Sequence, residues 1–327
     1  MDSHGFAAPR WLRNRHLMTV TANLARLPLR LPLRRERWEL PDGDFLDVDR
    51  LDGAAPDAPL VLVCHGLEGS SRAGYVRGVM AQARARGLAA AALNFRSCSG
   101  EMNRLPRLYH SGETEDLDQA VRRLAAEVPG RPLALIGFSL GGNVVTKYLG
   151  ERGDALPAAV RAAAVISVPF DLAACCVAID GPGLPALVYR ERFLRKLRPK
   201  ALEKARRFPG LIDEARVRGA RLLREFDDAV TGPLHGFRDA ADYYARSSSG
   251  PLLSAVRRPL LIVSAQDDPF VPGVTLPVAA MRQNPLVQAL LPQAGGHVGF
   301  LAGPPWALRR WAEERAARFV AEQLHLR

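Results

Sequence analysis

Residues 132–150, PLALIGFSLGGNVVTKYLG, contain a serine in a turn that few folds can hold. The apolar run 133–136 predicts a buried strand, because it is too short for a helix. It continues into GFSLG at 137–141 and then into a segment with helical spacing of apolar residues. Strand, G-x-S-x-G turn and helix in that order are typical of a nucleophile elbow, which exposes the Ser139 hydroxyl at a sheet edge. The alternative, an accidental glycine-rich turn, does not account for the flanking strand and helix.

A second predicted strand, 59–64, ends in the glycine-containing loop HGLEG at 65–69. In a fold with such an elbow, this loop supplies one backbone N–H of an oxyanion hole, and the residue after the nucleophile supplies the other. These positions predict Leu67 and Leu140 as the two donors, through their amides rather than their side chains. His65 precedes the nucleophile and belongs to this loop, so we interpret it as a structural histidine rather than a catalytic base.

The acid and the base are expected after the nucleophile, in that order. A strand at 259–264 runs into Asp267 and Asp268, and an apolar run at 287–291 leads into a glycine-flanked loop that contains His297. His297 is therefore the predicted base.

Two adjacent aspartates compete for the role of the acid. Asp268 has the small residue Ala265 three positions before it and Pro272 four positions after it, the spacing usual for the acid of such hydrolases. Successive residues leaving a strand point in different directions, so only one carboxylate can readily face His297. We predict Asp268 as its partner and expect Asp267 to cap the loop or face solvent.

The remaining histidines fit these roles less well. His110 precedes the nucleophile and His235 precedes the acid, and both are expected at most to line the site. His4 and His16 lie in the N-terminal arm, and His325 lies near the C-terminus.

Ten motifs in a fixed order resemble one branch of the α/β-hydrolases. They are Arg15-His16-Leu17, PDGDF at 41–45, HGLEGSS at 65–71, NFRSCSG at 94–100, YHSGET at 109–114, GFSLGGN at 137–143, FDDAVTGPLHGF at 226–237, Tyr243-Tyr244, DDPF at 267–270 and GGHVGF at 295–300. This set is similar to the YheT-like branch, whose eukaryotic relatives are ABHD-type lipid hydrolases. The resemblance implies an esterase or lipase-like activity on acyl esters by a Ser-Asp-His triad, without a cofactor.

The chain departs from the pattern of that branch at two positions. Ser97 replaces the glycine usual in the NFRSC segment, and Met18 replaces the glutamine usual in the N-terminal motif. Neither position belongs to the predicted triad, but both are candidates for reshaping the pocket or its entrance.

Alternating strands and helices predict an α/β fold with a mostly parallel central sheet and helices on both faces. Strands are expected at 60–64, 88–94, 133–138, 162–168, 260–264 and 287–291, and a β-hairpin at 38–51 with its turn at Asp42-Gly43. Residues 1–37 form a basic arm, and 38–327 form a single hydrolase domain. About ninety residues between two of the strands exceed one crossover helix, and we interpret 169–258 as a helical cap over the site. The alternative is a helical decoration without a cavity beneath it.

Composition limits the other function classes. The chain has 327 residues, 48% of them hydrophobic, and a formal net charge of +11. Arginine supplies nearly all of the basic charge along the chain and no nucleic-acid motif accompanies it, which argues against a nucleic-acid partner. Cys64, Cys98, Cys175 and Cys176 lack the spacing of a metal site or a disulfide framework, so we expect no metal and a cytoplasmic location.

Two basic segments, 10–37 and 190–207, allow weak contact with anionic lipid. The favoured alternative for the arm is packing around the domain with its arginines solvated, because Pro28 and Pro32 interrupt any long helix. For the whole chain we predict ester hydrolysis of a small acyl ester or lipid through an acyl-enzyme. Acyl transfer to another acceptor and a catalytically idle binding protein are the alternatives.

Overall fold

A computed structural model describes residues 5–25, 29–53 and 55–325. An eight-stranded sheet forms its centre, in the order β1-β2-β4-β3-β5-β6-β7-β8. The strands are β1 (Leu33–Glu39), β2 (Phe45–Leu51), β3 (Leu60–Cys64), β4 (Ala89–Asn94), β5 (Leu133–Phe138), β6 (Val160–Ile166), β7 (Leu260–Val263) and β8 (Val287–Leu290). β2 is antiparallel to β1 and β4, and all other neighbours are parallel. The predicted α/β fold with a mostly parallel sheet is confirmed.

Helices cover both faces of this sheet. They are α1 (Arg15–Ala25), α2 (Gly74–Arg84), α3 (Glu115–Glu127), α4 (Leu140–Arg152), α5 (Leu172–Ile179), α6 (Leu184–Arg207), α7 (Glu214–Gly219), α8 (Leu223–Phe226), α9 (Gly232–His235), α10 (Ala240–Ser247), α11 (Val278–Gln283) and α12 (Trp311–His325). Short 3-10 turns occur at Arg10–Leu12, Gly153–Ala155, Gly250–Ala255 and Gly273–Thr275, a π-helical turn at Asp227–Thr231, and a two-residue strand pair at Leu301–Ala302 and Arg309–Arg310.

Each face of the sheet has its own hydrophobic core. Leu62 and Leu135 pack with α3, α4 and α11 on one face, whereas their neighbours Val61 and Ile136 pack with α1, α2 and α12 on the other. Alternate strand residues point to opposite faces, so a strand buried on both faces is apolar throughout. This explains why short unbroken apolar runs predicted these strands to within about two residues.

The cap between β6 and β7 has a third core of its own, which includes Leu194, Val217 and Tyr243. The basic segment 190–207 belongs to one 24-residue helix, α6, that continues through Pro199. Proline removes one hydrogen bond from a helix interior and leaves the carbonyl four residues earlier without its partner. Pro199 is solvent-exposed, so water can satisfy that carbonyl.

The predicted β-hairpin begins earlier than expected, within the segment assigned to the N-terminal arm. The hairpin starts at Leu33 rather than at residue 38, so the last part of the predicted arm is strand β1. Its arginines are paired across the hairpin, Arg35 with Asp49 at 2.8 Å and Arg37 with Asp47 at 2.9 Å. Nearer the terminus, Met18 is buried against the domain while Arg15 is exposed, as the packing interpretation of the arm required. Pro28 lies outside the described residues.

Candidate active site

Ser139 lies between β5 and α4 in a strained backbone conformation, with φ 50° and ψ −120°. The turn is tight because its neighbours come very close. A Cβ at Gly137 would lie 2.5 Å from the carbonyl oxygen of Gly141, and a Cβ at Gly141 would lie 2.4 Å from that of His65. Only glycine fits such gaps, which accounts for the G-x-S-x-G spacing, and a strained non-glycine residue often marks a functional site.

Three polar side chains form a hydrogen-bonded relay at the carboxyl ends of the strands. His297 Nε2 lies 2.9 Å from Ser139 Oγ, and His297 Nδ1 lies 2.9 Å from Asp268 Oδ2 and 3.1 Å from Oδ1. Because a carboxylate accepts at Nδ1, the favoured tautomer has its proton there, and Nε2 is then free to accept from the Ser139 hydroxyl. The predicted nucleophile, base and acid are therefore in contact in the order that proton transfer requires.

The two adjacent aspartates make different contacts. Asp268 is buried, and its Oδ1 also accepts from the amides of Phe270 at 2.8 Å and Val271 at 3.1 Å, which fixes the carboxylate beside the imidazole. Asp267 Oδ1 instead accepts from the Gly296 amide at 2.9 Å and ties the His297 loop to the loop after β7. Burial raises the pKa of Asp267 above its ordinary value. Asp268 thus contacts the base, and Asp267 caps the loop.

The amides of Leu67 and Leu140 lie beside the nucleophile. A Cβ at Gly66 would be 3.2 Å from Ser139 Cβ, so the loop after β3 runs directly against the elbow. Leu140 is the first residue of α4, where N–H groups have no partner within the helix. Neither Leu67 N–H nor Leu140 N–H donates to another residue in the described part of the chain. Both amides are free to donate to a bound oxyanion.

His65 stabilises the loop after β3 through two hydrogen bonds. It is fully buried, its Nδ1 lies 2.7 Å from the Gly66 carbonyl oxygen, and its Nε2 accepts from the Phe95 amide at 3.2 Å. Burial lowers the pKa of His65 to about 4, so the imidazole stays neutral near pH 7. These contacts agree with the structural interpretation of this histidine.

A cavity with about 1050 Å³ of empty space, part of it open to solvent, lies between Ser139 and the cap. We call it the first cavity. Its cap-side lining is mainly apolar and includes Leu172, Ile179, Phe193, Leu197, Leu223, Phe226 and Val230. The cavity distinguishes the two interpretations of the insertion, because a mere decoration would leave no such space above the nucleophile.

His110 and His235 line the first cavity, in agreement with the prediction that they at most line the site. Their ring centroids are 4.6 Å apart. Burial lowers the pKa of His235 to about 3 and that of His110 well below its ordinary value. Two neutral imidazoles can supply hydrogen bonds inside an otherwise apolar space without adding charge.

A second cavity, with about 1260 Å³ of empty space that includes open solvent, begins at the same serine and histidine. Ser139, Leu67 and His297 line both cavities. The second cavity is bordered by the loop at 66–73, by helix α1 and by helix α6, and its lining includes Thr19, Asn23, Arg72, Arg192 and Lys196. The N-terminal helix is thus part of the site, which the sequence did not predict.

The two departures from the YheT-like pattern line neither cavity. Ser97 has φ 63°, a conformation that favours glycine, and its hydroxyl donates to Asn103 Oδ1 at 2.6 Å. Met18 is buried against the Gly299 backbone, where a Cβ on the glycine would lie 2.6 Å from its Cγ. Both residues act in packing beside the site rather than in shaping the pocket itself.

The described ranges contain neither a metal-binding cluster nor a single membrane-spanning helix. No group of three or more His, Cys, Asp or Glu side chains there is arranged to hold a metal ion. The four cysteines are unpaired and buried. No single helix of the described chain has the length and apolar composition of a membrane span; α5 and α6, bent by 111°, meet those criteria only as a pair.

Comparison with known proteins agrees with this geometry. The family described as alpha/beta hydrolase fold matches residues 59–304. YheT of Escherichia coli (strain K12), whose name places it among esterases, is 38% identical over 99% of this chain and 95% of its own length. This chain belongs to the α/β-hydrolase family. Within it, the chain falls in the YheT and ABHD branch that the motifs predicted, since mouse phospholipase ABHD3 is 32% identical over 83% of this chain and 67% of its own length.

A solved structure shows the same fold at lower identity. Esterase Pf2001 of Pyrococcus furiosus has a TM-score of 0.57 and 17% identity, and the match covers 90% of this chain and 92% of that one.

Proposed function

We propose that this α/β-hydrolase is a serine esterase that cleaves carboxylic acyl esters, including lipid esters, through an acyl-enzyme. The observation that carries the proposal is the relay in which His297 lies 2.9 Å from both Ser139 Oγ and Asp268 Oδ2. Relatives named esterase and phospholipase support the ester-cleaving class.

The first half of the reaction forms the acyl-enzyme. Ser139 Oγ attacks the ester carbonyl carbon while His297 Nε2 takes the hydroxyl proton, and Asp268 stabilises the resulting imidazolium. The amides of Leu67 and Leu140 donate to the oxyanion of the tetrahedral intermediate. Its collapse breaks the carbon–oxygen bond of the ester, and the leaving alkoxide takes the proton from His297.

The second half returns the enzyme to its starting state. Water gives a proton to His297 Nε2 as its oxygen attacks the acyl carbon, and the second tetrahedral intermediate uses the same two amides. Collapse releases the carboxylic acid and returns the proton to Ser139. The apolar first cavity is the space in which the acyl chain is held meanwhile, because burying each CH₂ group contributes about 0.8 kcal/mol.

Hydrolysis of p-nitrophenyl esters and labelling by a fluorophosphonate probe test this function. Ser139→Ala should lower kcat by about 10⁴-fold or more and prevent labelling, whereas Ser254→Ala, an exposed serine away from the site, should change neither. A wild-type protein that the probe does not label would support an idle binding protein. New esters formed in the presence of added alcohol would indicate acyl transfer instead of hydrolysis.

We further propose that the entrance of the site contacts an anionic lipid surface. Large apolar side chains are exposed on the N-terminal segment and on the α5–α6 part of the cap: Trp11, Leu17, Val20, Leu24, Val177, Leu184, Leu187 and Val188. Helices α1 and α6 both border the second cavity, and Val20 lines it. Exposed arginines at 10 and 13 accompany them, which complements anionic lipid. The cytoplasmic location stays a prediction.

A further inference from the structure

The second cavity differs from the first in charge. The first is lined mainly by apolar side chains, whereas three cations from two separate elements line the second: Arg72 on the loop after β3, and Arg192 and Lys196 on α6. A carboxylate substrate group, a phosphate or bulk water can solvate such cations, but an alkyl chain cannot. The alkyl chain of an ester should therefore prefer the first cavity, and an alcohol half that carries an anionic group should prefer the second.

None of the three cations is neutralised within the described chain. Arg72, Arg192 and Lys196 form no ion pair with a carboxylate of the described residues. With its carboxamide oriented so that the oxygen faces the guanidinium, Asn23 accepts from Arg192 Nη1 and Nη2 at 2.9 and 2.7 Å, which positions the cation without removing its charge. Lys196 Nζ donates to the Glu68 carbonyl oxygen at 3.2 Å.

The one carboxylate that lines both cavities, Glu68, already has a cationic partner. Lys200, one helical turn after Lys196, lies 2.8 Å from Glu68 Oε2, and Tyr109 donates to Oε1 at 2.9 Å. The net charge of the residues that line the second cavity is therefore positive. Ser139 and His297 line this same cavity.

We propose that the second cavity binds the alcohol half of the ester and selects alcohols that carry a phosphate or carboxylate group, with Arg192, Lys196 and Arg72 as the specificity-determining residues. This inference rests on the proposed esterase function. The acyl chain occupies the first cavity, the scissile carbonyl lies at Ser139, and the leaving alcohol takes its proton from His297 and departs through the second cavity. Guanidinium groups suit this role, because they bind phosphate and carboxylate oxygens in pairs.

Anion contacts far from the reacting carbon would raise kcat/KM through binding of the whole substrate. The clearest test compares hexanoyl esters of glycerol and of glycerol 3-phosphate, both as monomers in solution. The two substrates share the acyl chain and the type of leaving alkoxide and differ in the phosphate. We expect wild-type kcat/KM to be at least about tenfold higher for the phosphate ester, a factor that corresponds to about 1.4 kcal/mol.

Charge-removing variants connect that preference to the cavity. Arg192→Gln and Lys196→Gln should each reduce the preference, the ratio of the two kcat/KM values, by about threefold to tenfold, because only the phosphate ester loses an ionic contact. Arg195→Gln is the matched control, because it removes the same charge from the same helix. Arg195 is exposed and lines neither cavity. An equal loss of preference in Arg195→Gln would overturn the proposal, since the effect would then come from the general field of the protein.

Binding of free glycerol 3-phosphate, measured by calorimetry on the wild-type protein and on Arg192→Gln, gives a readout that needs no turnover. Binding that is weakened in the variant supports the inference, and no difference between the two proteins contradicts it. Equal kcat/KM for the two esters would overturn this inference while leaving the esterase function intact. A preference seen only when substrates are presented in vesicles would show that the cations bind lipid headgroups at the membrane surface, and would overturn it as well.

Discussion

The Thr19 hydroxyl accepts a hydrogen bond from the backbone N–H of His297 at 2.9 Å, although 278 residues separate the two in sequence. Thr19 donates in turn to the Arg15 carbonyl oxygen at 2.8 Å. The adjacent Gly296 has φ 59°, and a Cβ there would lie 2.7 Å from Thr19 Oγ1. Helix α1 thus packs against the loop that contains His297. It positions His297 although it lies outside the central sheet.

Replacing Thr19 should therefore impair catalysis. Thr19→Val keeps the size of the side chain but leaves the partly buried His297 amide without its acceptor, which costs up to about 1–3 kcal/mol. We expect kcat on p-nitrophenyl esters to fall by about 10- to 100-fold, since a small misplacement of a catalytic group has effects of that size. Thr19→Ser retains the acceptor and should keep most of the activity.

A Thr19→Val protein with wild-type kcat and an unchanged melting temperature would show that α1 does not position the base. A fall in melting temperature with unchanged kcat would assign Thr19 to stability alone.

The contrast between Thr19 and Ser139 shows what the sequence could predict. Ser139, Asp268 and His297 each follow a short apolar strand, and parallel strands bring their carboxyl ends to one edge, so chain order alone placed them together. Thr19 precedes every strand, and its contact depends on how α1 packs. Its motif neighbours Arg15-His16-Leu17 marked the segment, but nothing in their pattern identified which loop it would contact.

The cap was predicted in extent but not in detail for a similar reason. Its length and its position between β6 and β7 are properties of the sequence, whereas the continuity of α6 through Pro199 depends on exposure, which a linear pattern does not reveal. Arg192 and Lys196 were visible only as part of the basic segment 190–207, and nothing in the sequence marked Arg72. Packing of α6 beside α1 and the loop after β3 brings all three to the cavity that Ser139 also lines.

The two adjacent aspartates should differ sharply on conversion to asparagine. Asp268→Asn presents an amide to His297 Nδ1 and favours the wrong imidazole tautomer, so kcat should fall by up to about 10⁴-fold. Asp267→Asn keeps an oxygen that can accept from the Gly296 amide, so its kcat should stay within about tenfold of wild type. Steady-state kinetics on one p-nitrophenyl ester measures both variants. If Asp267→Asn were the more damaging change, the assignment of the acid would be wrong.

Contact with lipid should require the exposed apolar residues of helices α1 and α6. Leu24 and Leu184 are 74% and 72% exposed. Replacing either by serine should reduce sedimentation with vesicles containing phosphatidylglycerol by at least about fivefold, given the free energy of burying a leucine side chain. Leu286→Ser, before the amino end of β8 and thus at the opposite edge of the sheet, is the control and should sediment as wild type does. Equal sedimentation of all variants would contradict the proposed surface.

The partly buried carboxyl group of Asp227 should make stability depend on pH. It lines the first cavity, accepts from the Tyr244 hydroxyl at 2.7 Å and from the Thr231 hydroxyl at 2.6 Å, and burial raises its pKa from 3.8 to about 6. Because the folded state binds this proton more tightly than the unfolded state does, the stabilising contribution is complete below about pH 4. It is lost as the pH rises through about 6, and a shift of this size corresponds to at most about 3 kcal/mol.

Asp227→Asn removes this titration and keeps an oxygen that can accept from Tyr244. The free energy of unfolding of the variant, measured by urea denaturation and expressed relative to wild type, should therefore increase between about pH 4 and pH 6.5, by up to about 3 kcal/mol. A difference that stays constant over this range would mean that Asp227 titrates at its ordinary pKa and is solvated within the cavity. That result would also weaken the assignment of the first cavity to an acyl chain, because a solvated carboxylate beside Val230 and Phe226 would place water where the alkyl group is expected.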